Sequence, residues 1–279
     1  MTRREDVAAG RLHGALYPGA PGGTGVLVLA GSSGRVDEPR ARLLSGLGAT
    51  ALALRWFGGP GQTSRIREVP LELFSEALDL LESRGAGRLA ILGISKGAEA
   101  ALLVACREPR VDAVVAIAPT SVAWAELGRT EADAALPQRS SWTARGRPVP
   151  FVPYDDAWRP AGSGGPAAFR DLYPASLARF PEEAAAAAIP VDRSACRLVL
   201  IAGGDDRVWP SVEFAGRLAA RRRGSVELFT SASAGHRITF PGEAPPEPDP
   251  ARGGTPEAGA ALGRTAWPAV LDALRLHAG

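Results

Sequence analysis

The segment Leu89-Ala90-Ile91-Leu92-Gly93-Ile94-Ser95-Lys96-Gly97-Ala98-Glu99-Ala100-Ala101-Leu102-Leu103 narrows the possible folds more than any other part of this chain. An apolar run of strand character meets a run of helix formers across Gly93-Ile94-Ser95-Lys96-Gly97, a G-x-S-x-G. A serine held in so tight a strand-to-helix turn needs small residues on both sides, because the two backbones approach closely there. The turn lifts the Ser95 hydroxyl to the edge of a sheet and aims the positive end of the helix at whatever binds there. In a chain with 33 glycines the bare motif arises easily by chance. Its position between a strand and a helix is what makes it informative.

The flanking sequence continues the alternation. Apolar runs at 26–30 and 51–55 are short and bounded by glycine, as buried parallel strands are. A helix is expected between them at 38–47. Leu71, Phe74, Leu78 and Leu81 recur at i, i+3, i+7 and i+10, one apolar stripe on a helix starting after Pro70. Strands are predicted at 88–93, 112–118, 198–202 and 226–230, and helices at 96–106, 212–221 and 266–277. Such alternation implies an α/β class, a mostly parallel sheet covered by helices on both faces. A length of 279 residues suits one domain of this class, residues 1–279.

Residues 120–193 interrupt the rhythm. They carry no clear strand and are rich in proline, glycine and aromatics, including Trp124, Trp142, Phe151, Tyr154 and Trp158. An insertion here would stand above the carboxyl ends of the strands, where open α/β sheets bind ligands. It is expected to form a lid or cap, with Trp124 and Trp142 lining a substrate pocket. The competing expectation is a surface excursion whose aromatics pack on the body. Residues 241–263, also rich in proline and glycine, are expected to be irregular, and the run 184–188 has plain helix composition.

A serine hydroxyl is a weak nucleophile and needs a base. The chain has three histidines. His13 precedes the expected first strand and His277 ends the expected last helix, so both are read as surface residues. His236 follows the 226–230 strand in Ser233-Ala234-Gly235-His236, where a base belongs. The acid should follow an earlier strand, and 198–202 runs into Gly203-Gly204-Asp205-Asp206-Arg207-Val208-Trp209-Pro210. Two adjacent carboxylates stand there and periodicity does not choose between them; a turn in which either serves only as a helix cap is the alternative. The acid's task is to hold the imidazole in one tautomer and stabilise the imidazolium. An oxyanion would need two donors. Position suggests the backbone N–H of Lys96 and one from Gly31-Ser32-Ser33-Gly34, namely that of Ser32.

Composition excludes several other classes. Net charge is +2, too small for a nucleic-acid or anionic-membrane partner. Lys96 is the only lysine, so the basic side chains are almost all arginine. No apolar run approaches the roughly 18 residues of a membrane span, and residues 1–12 lack the apolar core of a secretion signal. Cys106 and Cys196 lie in no C-x-x-C pair and near no histidine, so they read as two buried free thiols in a reducing compartment. No cofactor and no metal are called for, and a cytoplasmic setting is expected.

The stretch Ile91-Leu92-Gly93-Ile94-Ser95-Lys96-Gly97-Ala98-Glu99 resembles the elbow of the acyl-CoA thioester hydrolase and bile acid-CoA:amino acid N-acyltransferase family. So do Gly31–Gly34, Ala116-Ile117-Ala118-Pro119-Thr120-Ser121-Val122, Ile189-Pro190-Val191-Asp192, residues 203–211 and Ala234-Gly235-His236. The likeness spans roughly residue 14 to the C-terminus, the family's catalytic domain. It implies a dienelactone-hydrolase-like α/β-hydrolase fold with an insertion before the acid strand. It further implies a Ser95–Asp206–His236 triad, because the family's glycine stands three residues before its acid, as Gly203 does before Asp206.

Three departures accompany the likeness. Long eukaryotic members carry an N-terminal β-sandwich for which this chain has no room. Members that transfer acyl groups to amino acids use cysteine where this chain has Ser95. The loop Ile238-Thr239-Phe240-Pro241 matches only loosely. The resemblance implies a serine hydrolase cleaving acyl thioesters through an acyl-enzyme, acting on a small-molecule thioester or ester. Serine tilts the acceptor toward water, since an oxygen ester yields to amines less readily than a thioester. A carboxylesterase, or an acyltransferase using an amine or alcohol, are the alternatives. Arg221-Arg222-Arg223 is read as a solvated helix end rather than a contact for CoA phosphates.

Overall fold

In the computed structural model, which describes residues 3–133, 135–160 and 168–277, the short apolar runs become the middle of one large sheet. Its strands are β1 (Glu5–Ala9), β2 (Leu12–Tyr17), β3 (Thr24–Leu29), β4 (Thr50–Arg55), β6 (Arg88–Ile94), β7 (Val111–Ile117), β10 (Arg197–Gly203) and β11 (Val226–Ser231). The short strands β5 (Val69–Pro70), β8 (Trp142–Ala144) and β9 (Arg147–Pro148) form a separate three-stranded sheet. The helices are α1 (Glu38–Gly46), α2 (Glu72–Ser83), α3 (Lys96–Ala105), α4 (Leu172–Arg179), α5 (Pro181–Ala186), α6 (Ser211–Arg221) and α7 (Pro256–Leu274). The large sheet runs β1-β2-β4-β3-β6-β7-β10-β11. The β1–β2 and β2–β4 pairs are antiparallel and all other neighbours are parallel.

Period-2 geometry sends alternate side chains of each strand to opposite faces. Leu27, Leu29, Leu52, Leu54 and Ile91 pack with α2, α3 and α6 on one face. Val26, Val28, Ala51, Ala53 and Leu92 pack with α1 and α7 on the other. Both faces are covered, which is why the strands read as unbroken apolar runs rather than alternating ones. Each fully buried leucine or valine contributes about 1.5–3 kcal/mol relative to an exposed one. The order makes β6 a central strand, so the serine that ends it stands mid-sheet. Its neighbour β7 and, beyond that, β10 and β11 release their loops toward the same edge.

Several sequence expectations require correction. β1 and β2 are unanticipated, and His13 lies half-buried inside β2, its Nε2 2.8 Å from the Pro60 carbonyl oxygen, rather than before the first strand. Residues 120–193 do contain strands, β8 and β9; with two or three residues each, they are too short to show a period. The last helix starts at Pro256, not 266, because Thr255 caps it by accepting from Ala258 N at 3.2 Å and Pro256 occupies its first turn. The arginine run after α6 is not a free solvated end: Arg221 donates to Ile189 O at 3.0 Å, and Arg222 to the carbonyls of Val191, Ser194 and Cys196. Of the two free thiols, Cys196 is buried but Cys106 only half-buried. Burial, with a smaller contribution from Cys196, pushes the Cys106 thiol up to about 12.

Candidate active site

Ser95 occupies φ 58° and ψ −122°, a backbone conformation that a non-glycine residue holds at a cost of about 1–3 kcal/mol. The surroundings enforce it. Ser95 N donates to Ile117 O at 2.9 Å, while Ser95 O accepts from Ala98 N and Glu99 N and so opens α3. The elbow glycines are required by space: a Cβ on Gly93 would lie 2.3 Å from Gly97 O, and one on Gly97 2.4 Å from Ala30 O. The loop after β3 comes in alongside, since a Cβ on Gly31 would stand 3.2 Å from that of Ser95. Among the described residues, the backbone N–H groups of Ser32 and Lys96 have no hydrogen-bond acceptor.

The loops after β10 and β11 bring His236 and Asp206 together. His236 Nδ1 lies 2.8 Å from Asp206 Oδ2, and both side chains are buried. The carboxylate accepts, so the Nδ1–H donates, and in the neutral ring the lone pair then sits on Nε2. Nε2 is buried and has no hydrogen-bond partner among the described residues. Asp206 is fixed in turn, its Oδ1 accepting from Val208 N at 2.8 Å and Trp209 N at 3.3 Å. Asp205 points elsewhere and accepts from Gly254 N at 2.7 Å. His236 N donates to Arg252 O at 2.9 Å, so the expected irregular loop supports the imidazole's backbone.

Ser95 and His236 line one cavity of about 680 Å³ together with Ala30, Gly31, Ser32 and Ile94. The rest of its wall mixes charged side chains, Arg35, Arg237 and Arg252 with Asp37 and Glu247, with apolar ones, Val36, Pro39 and Pro246. Trp124 and Trp142, expected there as substrate contacts, are absent from the wall. Both are fully buried, because their indole N–H groups are committed inward, Trp124 to Thr120 Oγ1 at 2.7 Å and Trp142 to Glu99 Oε1 at 2.6 Å. His277, the third histidine, is exposed at the end of the described chain.

Sequence reasoning passed over Trp209. Its ring meets that of His236 edge-on, with centroids 5.8 Å apart, and its Nε1 donates to Ala118 O at 3.1 Å. Trp209 thus wedges between the acid loop, the end of β7 and the imidazole. The only available signal was its place three residues after Asp206, within reach of a carboxylate that gathers backbone donors. The arginines on the cavity wall carried no signal at all in a chain whose basic residues are almost all arginine.

A family model described as BAAT / Acyl-CoA thioester hydrolase C terminal matches residues 69–277. Acyl-coenzyme A thioesterase 1 of Homo sapiens is 30% identical over 249 residues, covering 86% of this chain and 55% of that protein. Acyl-coenzyme A amino acid N-acyltransferase 1 of Mus musculus is 37% identical over 120 residues, 41% of this chain and 29% of that protein. The chain therefore spans about half the length, or less, of these curated relatives. Among solved structures, AbyA5 superposes with a TM-score of 0.59 at 16% identity, covering 99% of this chain and 68% of that one. An esterase of Pyrococcus furiosus superposes with a TM-score of 0.52 at 16% identity, covering 83% of this chain and 82% of that one. At such identities the superpositions speak to the fold alone, which is that of an α/β hydrolase.

Proposed function

Since this chain belongs to the BAAT / acyl-CoA thioester hydrolase C-terminal family, we propose that it cleaves acyl thioesters, acyl-CoA foremost, with Ser95 as nucleophile, His236 as general base and Asp206 as its partner. The observation that carries this reading is that His236 lines the same cavity as Ser95 while its Nδ1 is tied to Asp206 and its Nε2 has no other hydrogen-bond partner among the described residues. Ser95 Oγ attacks the thioester carbonyl carbon as its proton passes to His236 Nε2. The oxyanion is held by the N–H groups of Lys96 and Ser32, each such donor contributing about 2.7–4 kcal/mol of transition-state stabilisation. Collapse breaks the carbon–sulfur bond, and His236 returns the proton to the departing sulfur. Water then attacks the Ser95 ester with His236 again as base, releasing the acid and restoring the serine.

Serine supports water as the acceptor, because its oxygen ester is less open to aminolysis than a cysteine thioester would be. Transfer to an amine is the second reading, favoured by the 37% identical segment shared with the mouse acyltransferase. A carboxylesterase would use the same machinery and is separated by comparing kcat/KM on matched ester and thioester substrates. In this reading residues 1–279 act as one catalytic domain, and the 120–193 insertion braces the site rather than lining it. The two free thiols suit a reducing, cytoplasmic setting, and among the described residues no helix is long and apolar enough to cross a membrane.

The test is pre-steady-state release of free thiol from acyl-CoAs of graded chain length. A burst matching the enzyme concentration is expected in the native chain. Ser95→Ala should lose it, with turnover falling by about 10⁴-fold or more. Failure of every acyl-CoA to release thiol would remove the substrate assignment.

A further inference from the structure

In the first turn of α3, beside Ser95, lies a buried ion pair with no part in the proposed proton transfers. Lys96 Nζ donates to Glu99 Oε2 at 2.8 Å, and the two side chains are 1% and 0% exposed. The other oxygen, Oε1, accepts twice from the 120–193 insertion: from Trp124 N at 3.0 Å and from Trp142 Nε1 at 2.6 Å. The Lys96 ammonium also stands 5.5 Å from the centroid of the Trp142 ring. Burial disfavours the charged lysine, pushing its pKa down against the pull of Glu99. Burying two charges costs several kcal/mol per ion before their attraction returns any of it, so a well-packed apolar pair of similar volume would serve stability as well or better. Stability alone therefore does not explain the pair.

Its location offers a reason. Lys96 and Glu99 occupy the first turn of α3, and the peptide N–H of Lys96 is one of the two donors beside Ser95. We propose that Glu99 is a positioning residue: its carboxylate locks the first turn of α3 to Trp124 and Trp142 of the insertion and thereby sets the aim of the Lys96 N–H at the oxyanion. The two tryptophans then act on catalysis from behind the elbow instead of from the cavity. Such a donor works only when aimed where charge develops, and a displacement near 1 Å lowers rate by about 10²-fold. A groundless insertion would have no reason to spend a backbone N–H and an indole N–H on one buried carboxylate oxygen.

This inference rests on Ser95 being the nucleophile, and its test separates the two claims. Glu99→Gln keeps the shape and removes the charge; Trp142→Phe leaves the Lys96–Glu99 pair intact and removes one donor. Butyryl-CoA turnover is normalised to active sites titrated with a fluorophosphonate, and affinity is measured for a trifluoromethyl ketone that forms a hemiketal with Ser95. Glu99→Gln is expected to lower kcat per titrated site by about 10²-fold, and Trp142→Phe by about tenfold. KM should stay unchanged in both, and the ketone should weaken by the same factor as kcat/KM. Unchanged kcat per titrated site in both variants, or unchanged ketone affinity, overturns the proposal even if melting temperatures fall. Should the native chain label at Ser95 yet turn over no thioester, the substrate assignment fails alone, and the labelling rates of the variants decide the positioning role by the same factors. Absence of labelling in the native chain overturns both.

Discussion

Asp205 and Asp206 carry the same carboxylate one peptide unit apart, yet their oxygens meet different partners. Asp206 Oδ2 faces His236 Nδ1 at 2.8 Å, whereas Asp205 Oδ2 takes the Gly254 N–H. Asp206→Asn would present an amide to the ring and favour the tautomer that leaves Nε2 protonated. A loss in kcat of about 10⁴-fold is expected for it. Asp205→Asn keeps an acceptor for Gly254 N and should retain most of the native turnover; steady-state kinetics on the two purified variants checks the contrast. From the residues alone the pair was unresolved, because both follow the same strand and either could cap a turn. What separates them is the direction each side chain takes as the chain bends out of β10, which no spacing records. Only the family likeness, through Gly203, pointed to Asp206. His236 stands out in sequence by elimination, since His13 and His277 lie near the ends of the pattern, and its ring is the one that meets Asp206. Trp124 and Trp142 were misread because an aromatic in an insertion looks the same in sequence whether its indole N–H points at a cavity or at a buried carboxylate.

At the scale of elements, the parts legible in the sequence were those with a strong local cause. β3, β4, β6, β7 and β10 are short, mostly apolar runs, and α2 bears one clean stripe. β1 mixes charged and small residues, with only Val7 buried, so it has no pattern to find. β8 and β9 exist through the pairing of β8 with β5, a contact across more than seventy residues. The elbow is the element whose chemistry is most exacting. A Cβ on Gly97 would press on the backbone oxygens of Ala30 and Leu29 at 2.4 and 2.5 Å, and backbone yields little. Gly97→Ala is therefore expected to cost about 1–3 kcal/mol or more. Gly216, inside α6, is the reverse case: a Cβ there meets nothing within 4 Å. Gly216→Ala should stabilise by about 0.5–1 kcal/mol, since it removes backbone freedom from the unfolded chain. Urea unfolding of both variants reads the two signs in one experiment.

Over the whole molecule, the candidate site is assembled from loops leaving β3, β6, β10 and β11, and their registration cannot be left to the sheet alone. On the α1 side a second buried ion pair links two of them. Arg40, near the start of the helix that follows the β3 loop, donates to both oxygens of Glu243, at 2.5 and 2.9 Å, and to Ile238 O at 3.3 Å. Its guanidinium also lies 5.3 Å from the Phe240 ring centroid, and Glu243 Oε2 accepts from Phe240 N at 2.8 Å. Residues 238–243 come just after His236, so the clamp joins the helix after the Ser32 loop to the loop bearing His236. The side chains are 8% and 9% exposed, so removing Arg40 leaves Glu243 charged and poorly hydrated, while removing Glu243 leaves Arg40 with Asp37 alone, at 3.3 Å. Arg40→Met should cost about 3–5 kcal/mol, the range for a broken buried pair, and Glu243→Gln less, since Asp37 still faces the guanidinium. The double variant should cost well under their sum, because the buried Glu243 charge is then gone too and only the partly exposed Asp37 lacks its arginine. The difference, read by chemical denaturation around the full cycle, is the coupling between the two loops. If the two losses simply add, the arginine and the glutamate act independently and the loops are held by packing of Ile238 and Phe240 against α7.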